Sequence, residues 1–216
     1  MPRLLDGPRL QPKSGRARQL VVLLHGYGAD GNDLIDLGGS WADLMPDAAF
    51  VSPHAPEPCG MSPAGRQWWE LTFRDPDERW RGSQQAAPDL DHFLDEELRR
   101  HALGPESLAL VGFSQGAMMA MHVAPRRAAA MAGVVAISGR LLEPERIGEI
   151  TVKPPVLLIH GDDDQVVPFG NMQHAGQVLT GAAIETYGHV MKGTGHGIAP
   201  DGLQASLAFI ADRFGV

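Results

Sequence analysis

Residues 107–123 constrain this chain more than any other stretch. Ser107-Leu-Ala-Leu-Val111 is a short apolar run, Gly112-Phe-Ser-Gln-Gly116 follows it, and Gln115-Gly-Ala-Met-Met-Ala-Met-His-Val123 has helical character. A strand, a sharp turn and a helix in that order put Ser114 on the turn at the edge of a sheet, its hydroxyl exposed and backbone N–H groups close by. The two glycines have a steric reason, because a side chain at either position would clash where strand and helix cross closely. G-x-S-x-G is a short pattern in a chain with 26 glycines. Its meaning therefore depends on what the rest of the chain supplies.

The rest supplies an acid and a base in a definite order. Val21-Val-Leu-Leu-His-Gly-Tyr-Gly28 reads as a buried strand ending in a Gly-rich loop, the place from which an α/β-hydrolase offers a second oxyanion-hole N–H. Pro155-Val-Leu-Leu-Ile-His160 is another buried strand, and Gly161-Asp-Asp-Asp-Gln-Val-Val-Pro168 brings acids to its end. Gly193-Thr-Gly-His-Gly197 lies in a loop between a strand-like segment and an amphipathic one. Of nine histidines, His196 alone sits in a Gly-flanked loop after the last strand; the others fall in strands, helical patterns or their ends, or precede the elbow. Ser, then Asp, then His is the chain order of the α/β-hydrolase fold. Spacing does not choose among Asp162, Asp163 and Asp164.

Probable strands at residues 8–11, 19–24, 48–52, 107–111, 131–138, 156–160 and 184–190 alternate with helical candidates at 32–44, 88–103, 115–124, 171–179 and 201–214. Such interleaving predicts a mostly parallel sheet with helices on both faces, in a single α/β domain over residues 1–216 without a large separate cap. Two segments break the rhythm. Residues 53–85 contain five prolines together with Trp68, Trp69, Phe73 and Trp80, and residues 139–155 form a shorter polar excursion. Both read as loop elaborations at the rim of the site, the first helping to build an acyl-binding wall with Trp68 or Trp69 lining the pocket. For Met118, Met119 and Met121, behind the elbow, core packing is the expected role.

Other chemistries are less well supported. The formal net charge of -8 argues against a nucleic-acid partner. The acids at 162–164 lack calcium-loop spacing, so no metal is expected. Gly26-Tyr-Gly28 completes neither a dinucleotide fingerprint nor a phosphate loop, so no nucleotide cofactor is expected. The start of the chain lacks a signal-peptide pattern, no stretch approaches the ~18 apolar residues of a membrane span, and the lone Cys59 cannot form an internal disulfide; a cytoplasmic setting is the expectation. The sequence leaves the oligomeric state open, a homodimer included.

Five stretches carry a family resemblance across nearly the whole chain: Leu24-His-Gly-Tyr-Gly-Ala-Asp-Gly-Asn-Asp33, Trp68-Trp-Glu70, Gly112-Phe-Ser-Gln-Gly116, His160-Gly-Asp-Asp-Asp-Gln-Val-Val-Pro168 and Gly195-His196. In them the chain resembles the phospholipase/carboxylesterase family of small α/β-hydrolases, which includes bacterial carboxylesterases and acyl-protein thioesterases. The resemblance implies Ser114 as nucleophile, Asp164 as acid, His196 as base, and oxyanion-hole amides from Tyr27 and Gln115. Val167, in the loop that carries the acids, is a further candidate for substrate contact. The resemblance also implies ester or thioester hydrolysis without a cofactor, with a carboxylesterase for small to medium acyl esters as the leading expectation. A thioesterase or lysophospholipase is the nearest alternative, and a catalytically idle binding protein of the same fold is the alternative of a different class. Glu70 stands where the family usually has Asp.

Overall fold

The computed structural model describes residues 1–72, 75 and 77–216. Seven strands form one sheet: β1 (Arg9–Leu10), β2 (Gln19–Leu24), β3 (Ala48–Val51), β6 (Leu108–Phe113), β7 (Gly133–Ile137), β8 (Val156–Gly161) and β9 (Thr186–Met191). Their spatial order is β1-β3-β2-β6-β7-β8-β9. All neighbours pair in parallel except β1, which runs antiparallel to β3 at the edge.

Alternation along the strands sends side chains to two separate cores. Leu20, Val22, Leu24, Leu108 and Leu110 face α2 (Glu78–His101), α3 (Gln115–Val123) and α4 (Gly170–Gly181). Val21, Leu23, Ala109 and Val111 face α1 (Asn32–Trp41) and α5 (Pro200–Phe214). Because both faces are covered, the central strands read as unbroken apolar runs instead of alternating ones. This is the predicted α/β-hydrolase arrangement, and no separate cap domain occurs among the described residues.

The 53–85 segment differs from its sequence reading. It holds an antiparallel hairpin of β4 (Glu57–Cys59) and β5 (Ser62–Gln67), with a bulge between Pro58 and Cys59. Its last residues are the first two turns of α2, which begins at Glu78 and not at Pro88. Proline inside a helix removes one hydrogen bond and normally marks a start or a break. Here the stripe formed by Gly82, Ala86, Leu90, Phe93 and Leu94 is buried on both sides of Pro88 and holds the helix continuous. The excursion at 139–155 contains a short 3-10 helix, Pro144–Glu149.

Candidate active site

The loops that leave the C-terminal ends of five parallel strands converge, as ligand sites do in open α/β sheets. β2 leads to Tyr27, β6 to Ser114, β7 to Arg140, β8 to Asp164 and β9 to His196.

Ser114 occupies the predicted turn between β6 and α3, with φ 52° and ψ -115°. A non-glycine residue with positive φ is strained, and such strain persists only where the surroundings impose it. Here they do. The Ser114 amide donates to the Ile137 carbonyl on β7 at 2.9 Å. A Cβ at Gly116 would run into the Leu24 carbonyl, and one at Gly112 would run into the backbone of Gly116. The strand and helix thus meet at a distance that only glycine allows, and the turn is forced to present its serine.

Two hydrogen bonds link the three predicted residues. Ser114 Oγ lies 2.9 Å from His196 Nε2, and His196 Nδ1 lies 2.7 Å from Asp164 Oδ2. Since a carboxylate only accepts, Nδ1 carries the proton and Nε2 is left free to accept from the serine hydroxyl. The Phe113 ring flanks His196 at 5.1 Å between centroids. Asp164 is buried, and its other oxygen accepts from the amides of Val166 and Val167, both at 2.9 Å. Burial opposes ionisation of this carboxyl, but the bonds from His196, Val167 and Val166 outweigh it and hold its pKa below the usual Asp value. His160 Nε2 donates to the Val167 carbonyl at 2.8 Å and approaches Asp164 Oδ2 at 3.3 Å, closing the far side of the loop.

The turn that follows β8 sends the three adjacent acids in different directions. Asp162 points outward, where it pairs with Lys192 at 3.1 Å and accepts from the Gly193 amide at 2.7 Å. Asp163 is exposed. Only Asp164 reaches His196.

Next to this chain of bonds is a cavity of about 580 Å³ lined by Ser114 and His196 and also by Tyr27, Gln115 and Val167. Among the described residues, the backbone amides of Tyr27 and Gln115 donate to no protein acceptor. Gln115 is the first residue of α3, where helical N–H groups have no intrahelical partner. Burial, helped by the neighbouring Cys59 thiol, pushes the Tyr27 phenol up to about 12, so that side chain stays neutral.

The tryptophans expected in the pocket are not there. Trp68 and Trp69 are buried in the core, 1% and 3% exposed, and neither borders the cavity. The Trp68 indole donates to the His25 carbonyl at 3.1 Å, and its backbone amide donates to the Gln115 side chain at 2.9 Å. Trp80 also lies elsewhere, beneath the guanidinium of Arg146 at 4.8 Å and against the edge of His122. Phe73 lies outside the described residues. Glu70 is exposed. Among the described residues, what the 53–85 segment contributes to the wall is Met61, Leu71, Thr72 and Arg79. Met118, expected to pack in the core, borders the cavity as well, whereas Met119 and Met121 are core residues only. Helical periodicity could have separated Met118 from its neighbours; nothing local marks Leu71 or Arg140 as pocket residues.

A doubly covered parallel sheet, with a serine on a strained strand-to-helix turn bonded to a histidine from a later loop, defines the α/β-hydrolase class. The chain belongs to the phospholipase/carboxylesterase family, whose family model matches residues 5–213. It is 30% identical to Esterase YpfH of Escherichia coli (strain K12) over 192 residues, covering 88% of this chain and 81% of that one. It is also 30% identical to acyl-protein thioesterase 1 of Saccharomyces cerevisiae over 232 aligned residues, 95% of this chain and 97% of the other. The crystal structure of esterase PE8 matches with a TM-score of 0.95 and 45% identity, covering 98% of this chain and all of that one. The protein is accordingly a serine-type hydrolase of carboxylic esters or thioesters. No helix among the described residues is long and apolar enough to cross a membrane.

Proposed function

We propose that the protein is a carboxylesterase for small to medium acyl esters, acting through Ser114, His196 and Asp164 by way of an acyl-enzyme. The observation that carries this reading is the hydrogen-bond chain from Asp164 through His196 to Ser114, at 2.7 and 2.9 Å, in the tautomer that lets Nε2 take a proton. Unassisted, a serine hydroxyl is a poor nucleophile at neutral pH. His196 removes its proton as Ser114 Oγ attacks the acyl carbon. Asp164 keeps the proton on Nδ1 and stabilises the imidazolium that forms.

Negative charge then develops on the former carbonyl oxygen. The amides of Tyr27 and Gln115 receive it, and losing one such donor typically costs ~3 kcal/mol, about a hundredfold in rate. His196 returns the proton to the departing alkoxide, which leaves as the alcohol. Water next attacks the acyl-enzyme with His196 again as base, releasing the acid and restoring Ser114. Met118, Val167 and Leu71 supply apolar wall for the acyl chain. The cavity volume lies within the range of roughly 300–1,000 Å³ usual for small-molecule sites.

Thioester hydrolysis is the second reading, favoured by the likeness to the yeast acyl-protein thioesterase over nearly the full chain. The test is turnover of p-nitrophenyl esters of graded acyl length beside an acyl-CoA, in wild type and Ser114→Ala. Ester turnover should vanish in the variant with its circular dichroism unchanged, and a fluorophosphonate should label Ser114 alone. Retention of more than a few per cent of turnover, or label at another residue, would refute the assignment.

A further inference from the structure

The catalytic cavity is opposite in charge to the protein that contains it. The chain has 26 acidic residues against 18 Lys and Arg. Yet the described residues bordering the cavity include two guanidiniums, Arg79 and Arg140, and no Asp or Glu.

Arg140 is held there by the elbow itself. β7 ends at Ile137, whose carbonyl accepts from the Ser114 amide, and the next residues pass so close to α3 that a Cβ at Gly139 would press on Ala117. The chain leaving β7 is therefore fixed against the turn that carries the nucleophile, and Arg140 follows it into the same cavity. Arg9 and Arg127, also withdrawn from solvent, have acid partners: Arg9 pairs with Glu97 at 2.8 Å, and Arg127 pairs with Asp91 and with Asp95 at 2.6 Å, while Arg126 reaches Glu149 at 4.0 Å. Arg140 has neither an ion pair nor a hydrogen bond among the described residues, and its Nε is buried without a partner. Burial and the charge of Arg79 both work against its positive charge, and Glu143 offsets them only in part. An uncompensated, partly buried guanidinium is costly, and a planar fork of donors fits an anionic oxo group.

We propose that the cavity selects esters carrying an anionic oxygen group, a carboxylate or a phosphate, away from the scissile carbonyl, and that Arg140 receives that group. This rests on the proposed esterase reading, because it names the substrate class of the same site. Met61, Leu71 and Met118 then hold the alkyl part, and the anion ends at the guanidinium.

The test compares kcat/KM for anionic and neutral partners on each side of the ester. On the acyl side the pair is the mono-p-nitrophenyl ester of glutaric acid against p-nitrophenyl pentanoate; on the leaving-group side it is butyryl glycerol phosphate against butyryl glycerol. In Arg140→Gln at least one anionic-to-neutral ratio should fall about tenfold or more, the size expected for a lost hydrogen bond to a charged group. Arg140→Lys should recover part of it. The side whose ratio falls tells whether the anion sits on the acyl group or on the alcohol. In the wild type the same ratio should fall as ionic strength rises, a readout that does not depend on any variant folding. Ratios unchanged by Arg140→Gln, or a wild-type ratio indifferent to salt, overturn the proposal while leaving the esterase reading standing. Turnover of the neutral esters that survives Ser114→Ala would instead sink the assignment of Ser114, and failure of the wild type to turn over any of the esters would sink the esterase reading.

Discussion

The side-chain carbonyl of Gln115 accepts the backbone N–H of Trp68 at 2.9 Å, so the residue that follows Ser114 is tied to a segment 47 positions away. The other end of the same amide donates to the Trp69 carbonyl, also at 2.9 Å. Through its indole, Trp68 passes the restraint on to the His25 carbonyl. His25 in turn bridges the Gly26 carbonyl and the Ala55 amide, an arrangement that needs the neutral ring with its proton on Nδ1; burial keeps its pKa low. The loops carrying Tyr27 and Gln115 are thus locked to one another through a buried tryptophan.

Trp68→Ala is therefore expected to act on the scaffold and not on the acyl chain. Removing a buried indole typically costs 3–5 kcal/mol. The thermal midpoint should fall, and kcat/KM should drop by a similar factor for acetate, butyrate and hexanoate esters. Met118→Ala, at the cavity wall, should instead penalise the longer esters, by up to ~0.8 kcal/mol for each CH₂ that loses its contact. Steady-state kinetics across the ester series separate the two; a chain-length profile flattened by Trp68→Ala and not by Met118→Ala would reverse this reading.

Asp164→Asn and Asp162→Asn should differ sharply. The first alters the group that holds His196 in its tautomer, and the corresponding change in a serine protease lowers kcat by ~10⁴. The second touches a surface pair with Lys192, of a kind that contributes little because solvent screens it. Comparable losses of kcat at both positions would mean that the hydrogen bond at 2.7 Å does not orient the base.

Acid should weaken the fold through His122. This ring is buried against Trp80, accepts from the Gln84 amide at 3.0 Å, and has its pKa pushed down to about 4 by burial and by Arg126. Unfolded, it titrates near 6.5, so between about 6.5 and 4 the unfolded chain binds a proton that the folded chain refuses. Stability is thus fully present above 6.5 and declines as pH falls to about 4, by on the order of 3 kcal/mol from this group. His25 shifts in the same direction, so some decline remains without His122. Urea unfolding at pH 7 and pH 4.5 should show a smaller loss for His122→Gln than for wild type; equal losses would count against the assignment.

How far the sequence reached depended on the range of the interaction concerned. Elements set by local pattern were legible: β2, β6 and β8 as apolar runs, Ser114 from glycines that steric contact requires, and His196 from its Gly-flanked loop after the last strand. Pro88 misled because its local cost was visible, whereas the buried stripe that offsets it required knowing which face of α2 meets the sheet. Trp68 and Trp69 looked like pocket residues since composition cannot say whether an aromatic side chain turns inward or toward substrate. Spacing could not separate Asp162, Asp163 and Asp164 either, as one residue of difference changes which carboxylate turns toward a histidine 32 positions later. The sequence by itself determined the succession of strands and helices in the main sheet, the class of chemistry and the turn that bears Ser114, because these depend on neighbours along the chain. Only the tertiary structure decided which side chains wall the cavity and that Arg140 stands among them, because those facts depend on loops from separate strands meeting at one edge of the sheet.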